Sequence, residues 1–144
     1  MNKIDNAIRC FSNGFNCSQS VFSAFANELG LDKKTALKIG SPFGAGMARM
    51  AETCGAVTGA FMVIGLKYGK FKIDDNEAKE KTYKLVQEFV IKFKERNGSI
   101  VCKELLGCDI GTTEGMKIAK EKGLFNTDCP KFVRDAVEIL EEIL

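Results

Sequence analysis

Histidine is absent from the 144-residue chain. That absence excludes a Ser–His or Cys–His dyad, a His-ligated haem and a mixed Cys/His zinc site. Long apolar runs are missing too. The longest, Ala56 to Leu66, contains Thr58, Gly59 and Gly65, and it falls well short of the ~20 residues of a membrane helix. Met1 to Asn6 lacks the apolar core of a secretory signal. No excess of one charge marks the chain, since 21 basic and 19 acidic residues leave +2. No basic cluster suited to nucleic acid or an acidic membrane stands out. The expectation is a cytoplasmic protein with no nucleic-acid partner and no membrane insertion. Soft-metal or redox chemistry has to come from the six cysteines.

The helical period dominates what is present. Ile4, Ala7, Ile8 and Phe11 form an i, i+3, i+4, i+7 stripe. Asn13-Gly14 breaks that segment, and Asn16 is placed to cap a second helix that Gly30 ends. Asp32 starts a short helix through Ile39. The glycine-rich segment Gly40 to Gly46 follows; it lacks the Gly-Lys-Ser/Thr ending of a phosphate loop and reads as a tight connection. Thr53 opens an apolar helix to Tyr68, with Gly69 at the position of a C′ glycine. Asp74 or Asp75 begins the longest helix, whose Tyr83, Val86, Val90 and Phe93 point inward and which stops at Asn97-Gly98. Ser99 to Leu106, Thr112 to Lys122 and a C-terminal segment capped by Asp128 complete the series. Alternating segments are short, so strand signals are thin. The fold expected is all-α: one compact domain over residues 1–144, with about six to eight helices, some short.

Four cysteines fall in the first turn of a predicted helix. Cys17 follows Asn16, Cys54 follows Thr53, Cys102 lies three residues after Ser99, and Cys129 stands between Asp128 and Pro130. Unpaired amides and the helix dipole favour negative charge at that end. They stabilise a thiolate, the form that attacks disulfides and binds metals. The placement predicts that sulfurs distant in sequence meet in one electropositive pocket. Gly55 and Gly59, with Ala56, leave a face poor in side chains next to Cys54, open to a cluster, a thiol or another backbone. Any one cysteine taken alone reads as an inert buried thiol; the shared placement sets these four apart.

With these motifs the chain resembles the C_GCAxxG_C_C family, whose members are described as redox-active. The likeness rests on Cys17 in Asn-Cys-Ser-Gln-Ser-Val and on the Cys54-Gly55-Ala56-x-x-Gly59 box. Cys102 in Cys-Lys-Glu-Leu-Leu-Gly and Cys129 ahead of an amphipathic C-terminal helix complete it. The resemblance implies a functional role for Cys17, Cys54, Cys102 and Cys129. It leaves Cys10 and Cys108 as extras, with Cys108 near enough to Cys102 in sequence to substitute for it. It also implies a link to transporters, beside whose genes members are often encoded. A related helical arrangement in split-Soret cytochromes carries an iron–sulfur centre, although this chain lacks the Cys-x-x-Cys-His haem motif.

Four thiolates suit an iron–sulfur cluster or zinc, though the close Cys-x-x-Cys pairs usual for either are missing. The leading expectation is a cluster held by Cys17, Cys54, Cys102 and Cys129, with Gly55 and Gly59 beside it. It would serve electron transfer or redox sensing through an unknown redox partner. One alternative is a metal-free thiol–disulfide oxidoreductase or sensor using the same four thiols. Another is a zinc-stapled, non-catalytic helical module associated with a transporter. Apolar surplus on several helices leaves room for a homodimer.

Overall fold

Side-chain caps set five of the helix starts. In the computed structural model, which describes residues 2–144, Asn2, Asn16, Asp32, Asp75 and Thr112 each accept a backbone N–H three residues on, at 2.8–3.0 Å. The helices are α1 (Lys3–Ser12), α2 (Cys17–Ala26), α3 (Lys33–Gly40), α4 (Gly44–Met47), α5 (Gly55–Tyr68), α6 (Asn76–Asn97), α7 (Cys102–Leu106), α8 (Thr113–Glu121), α9 (Leu124–Thr127) and α10 (Cys129–Ile143). A 3₁₀ turn, Ser41–Phe43, joins α3 to α4. Eight of the ten have five residues or more, and the domain is all-α as expected. Among the described residues no strand forms; the one extended pairing is an isolated antiparallel bridge between Thr53 and Val101.

Helices α2 and α5 cross at the centre, and glycine makes the crossing close. A β-carbon on Gly59 would lie 2.8 Å from the Ser18 carbonyl oxygen, and one on Gly55 would lie 3.1 Å from the Ser18 amide nitrogen. The small-residue face of α5 is therefore filled by the α2 backbone. Around this pair, α1, α6 and α10 bury Ala7, Phe89, Phe93, Val133, Val137 and Leu140. A row of rings, Phe61–Phe89–Phe93–Phe132, runs across α5, α6 and α10 with centroids 5.8–6.3 Å apart. Asp135 is the buried carboxylate of this interface. It accepts from Lys131 at 2.7 Å, Arg96 at 3.2 Å and Asn97 at 3.1 Å, which ties the end of α6 to α10.

Three local expectations need correcting. The buried stripe of α6 consists of Leu85, Val86, Phe89 and Phe93, whereas Tyr83 is 56% exposed and Val90 half-buried. Two stripes of similar spacing share that helix, and the one holding both phenylalanines buries more surface. Gly69 is not left-handed: its φ is −59°, and its N–H reaches the Gly65 carbonyl at 2.7 Å. A β-carbon there would strike that same carbonyl, so close approach is what calls for glycine. Asp128 stays in helical backbone geometry between α9 and α10 and makes no side-chain cap. The continuous α9–α10 turn leaves no extended cap residue to accept an amide.

Candidate functional site

Cys17 opens α2 under a reciprocal cap. Asn16 accepts from the Gln19 amide while the Gln19 side chain accepts from the Asn16 amide, both at 2.9 Å. The same two side chains reach across to neighbouring elements. Asn16 donates to the Ser41 carbonyl and Gln19 to the Leu37 carbonyl, each at 3.0 Å. The end of α2 that carries Cys17 is thus fixed to the chain leaving α3.

Cys54 and Cys102 are placed by a crossing of two extended segments. The Cys54 amide donates to the Ile100 carbonyl at 2.8 Å, and the Lys103 amide to the Ala51 carbonyl at 3.2 Å. The Cys102 amide donates to the Glu52 carbonyl between them. This short ladder around the Thr53–Val101 bridge sets the start of α5 beside the start of α7. Ser99 accepts the Val101 amide at 2.9 Å and fixes the approach to α7. Cys129 begins α10 with Pro130 in its first turn, where a missing N–H costs nothing.

The four sulfurs converge. Cys17, Cys54, Cys102 and Cys129 line one cavity of about 150 Å³, together with Gly55, Gly46, Leu106, Ile110 and Phe132. All four are buried free thiols. Gly59 stands apart from the cavity, against Ser18. Cys10 is elsewhere, its sulfur 3.7 Å from the Ser23 hydroxyl. Cys108 is half-buried and near enough to Cys102 to raise its pKa. Among the described residues, no three histidine, cysteine, aspartate or glutamate side chains are arranged to hold a single metal ion.

Burial dominates the protonation of Cys54 and Cys102. Cys54 is pushed from 9.0 up to about 12, first by burial; the amides of Ala56 and Val57 at the start of α5 act the other way and less strongly. Cys102 is likewise pushed up to about 12, by burial and then by the nearby Cys54 and Cys129 sulfurs. The interaction between Cys17 and Cys129 raises the Cys17 thiol, which burial also pushes up, and lowers that of Cys129. The expected electropositive pocket is therefore an apolar one. Amides at the start of α5 act on the Cys54 sulfur as anticipated, but desolvation of a thiolate in a hydrocarbon-lined void outweighs them.

One wall of the cavity is a left-handed turn, where the glycine-rich segment predicts only a tight connection. Ala45 to Arg49 have φ between 53° and 68°, and Ala51 follows at 57°. Each non-glycine residue held this way costs about 1–2 kcal/mol. The turn is held by the Glu52 amide on the Gly46 carbonyl at 2.9 Å and by the ladder to α7. It brings the Gly46 backbone so close that a β-carbon there would meet the Cys102 β-carbon at 2.7 Å. Such strain concentrates at functional sites. Only Gly44-Ala45-Gly46 hints at it in the sequence. Phe11 of α1, Ile110 in the turn after α7 and Phe125 of α9 also line the cavity and carry no sequence signal that marks them.

No curated protein and no solved structure matches the chain. A family model does, over residues 15–143, a span that takes in all four cavity cysteines. The chain belongs to that family, described as "Putative redox-active protein (C_GCAxxG_C_C)".

Proposed function

We propose that Cys17, Cys54, Cys102 and Cys129 hold an iron–sulfur cluster used for electron transfer or redox sensing. The observation that carries this reading is the shared cavity: four thiols from four separate helix starts around about 150 Å³ of apolar space. A single zinc ion needs its ligands about 2.3 Å from one point, so these side chains would have to close in from their present positions to hold it. A cluster takes one sulfur per iron, or two, across a body several ångströms wide, so its ligands stand apart around a void. Leu106, Ile110 and Phe132 would exclude water from it, and the Ala56 and Val57 amides at the start of α5 would donate toward the sulfur of Cys54. When bound, the cluster supplies one-electron chemistry.

Anaerobic reconstitution with iron and sulfide tests the reading. It predicts a coloured protein with acid-labile sulfide and an EPR signal on reduction or oxidation, lost on Cys54→Ser but retained on Cys10→Ser. A colourless protein without iron after reconstitution removes it.

A second reading takes Cys17 and Cys129 as the reacting pair, since they line the same cavity and each shifts the other's pKa. As a metal-free switch, these two thiols join as a disulfide and pass two electrons and two protons to a disulfide or quinone oxidant. Thiol counting before and after oxidation separates the cases. A loss of two free thiols confined to Cys17 and Cys129, without bound iron, selects this reading.

A further inference from the structure

At the end of α5 opposite Cys54, the chain leaves the helix bundle in the segment Lys67-Tyr68-Gly69-Lys70-Phe71-Lys72-Ile73. Phe71 is 89% exposed and Ile73 95% exposed. These are the least covered large apolar side chains of the described residues, and nothing in the fold packs on them. Lysines alternate with them. The Lys70 and Lys72 side chains are exposed, and Lys72 lies 5.7 Å from the Phe71 ring. Lys67 and Lys81 close on the Tyr68 ring at 5.2 and 4.0 Å, while Lys79 sits over Tyr83 at 5.8 Å. The fold therefore gathers lysines from α5, the loop and α6 into a patch, where the linear sequence shows no basic cluster. Residues 67–73 hold no carboxylate; Asp74, Asp75, Glu77 and Glu80 follow, with Asp75 turned to the Ala78 amide and Asp75 and Glu77 lining the same depression as Phe71 and Lys81. Among the described residues Lys70, Lys72, Lys79 and Lys81 form no ion pair.

We infer that this loop docks the protein on an anionic lipid surface. Isolated apolar side chains on a projecting loop offer no continuous face to a protein partner. A bilayer interface accepts them one by one, with lysine amines at headgroup level and their hydrocarbon stems alongside. Lys70 and Lys72, in the acid-free stretch and without an ion pair, are the two best placed to meet anionic headgroups. Docking in this way would hold the cysteine cavity, at the far end of the 14-residue α5, about 20 Å from the membrane surface.

Co-sedimentation of the full chain with vesicles tests the inference. Binding is expected to vesicles of phosphatidylcholine with phosphatidylglycerol, and not to phosphatidylcholine alone. Lys70→Glu and Lys72→Glu should each weaken it by about fivefold or more at low salt. The double change Phe71→Ser with Ile73→Ser should weaken it by at least about tenfold. All four positions are exposed, so circular dichroism should stay unchanged. Failure to bind the anionic vesicles overturns the inference, as does binding indifferent to Phe71 and Ile73. Capture by DNA or polyphosphate that needs the lysines but not Phe71 and Ile73, in the absence of vesicle binding, would assign the patch to a polyanion instead.

Discussion

The amide of Cys54 donates to the carbonyl of Ile100 at 2.8 Å, and this contact aligns the starts of two helices whose cysteines are far apart in the chain. The position of the Cys102 sulfur thus depends on the segment that precedes it. Replacing Ser99 by Ala removes the acceptor of the Val101 amide. The expected result is a loss of about 1 kcal/mol in stability by chemical denaturation, with reduced iron uptake after reconstitution. Unchanged uptake would separate the Ser99 contact from placement of the site.

The glycines of α5 should divide by what surrounds them. Gly59→Ala places a β-carbon 2.8 Å from the Ser18 carbonyl oxygen, and forcing α2 and α5 apart should cost about 1–3 kcal/mol. At Gly65 nothing lies within 4 Å. There Gly65→Ala should stabilise the protein by about 0.5–1 kcal/mol through helix propensity. Equal effects at the two positions in thermal melts would contradict the packing described.

In the left-handed turn the usual ranking of alanine over glycine inverts. Ala48 is exposed with φ of 53°, so Ala48→Gly should raise stability by about 1 kcal/mol. A loss in urea titration would mean that the backbone does not hold this geometry in solution.

Thiol chemistry of the cofactor-free protein should follow the protonation order. Among the four cavity thiols Cys129 alkylates first, because its neighbour Cys17 lowers its pKa. Cys54 and Cys102, pushed up to about 12, stay slow until strongly alkaline pH. Stability carries the matching sign. Raised thiol pKa values mean that the folded state keeps protons which the unfolded chain gives up above about 8.5. The contribution of Cys54 and Cys102 is fully present below that value and declines as pH rises toward 12. Mass mapping of alkylated peptides checks the first statement, and denaturation at several alkaline pH values checks the second.

Asp135 should be worth more than an exposed acid. It is buried and accepts from Arg96, Asn97 and Lys131. Asp135→Ala leaves those donors without their shared partner and should cost about 2–4 kcal/mol, read from denaturation midpoints. A cost near zero would mean that the network is fully solvated.

Much of the site was legible because its signals are local. Asn16, three residues ahead of Gln19, announces a capped helix and so puts Cys17 in its first turn. Gly55 and Gly59 announce close approach, though of a backbone and not of a cofactor in the case of Gly59. Other parts need partners distant in sequence. The ladder between Ala51–Cys54 and Ile100–Lys103 is too short to show alternation. The left-handed run from Ala45 to Arg49 contradicts the preference of four of its five residues, so only the surrounding contacts can impose it. The inward face of α6 was misjudged because Tyr83–Val86–Val90 and Leu85–Val86–Phe89 both repeat at the helical period, and only the opposing helices choose between them.

Because its thiols come from both ends of the chain and two places between, the thiol-lined chamber has no precursor in any fragment. A nascent polypeptide that has produced Cys17 and Cys54 but not yet Cys129 has three walls at most. Loading would therefore wait until the last helix docks, making occupancy of the chamber a readout of completed folding.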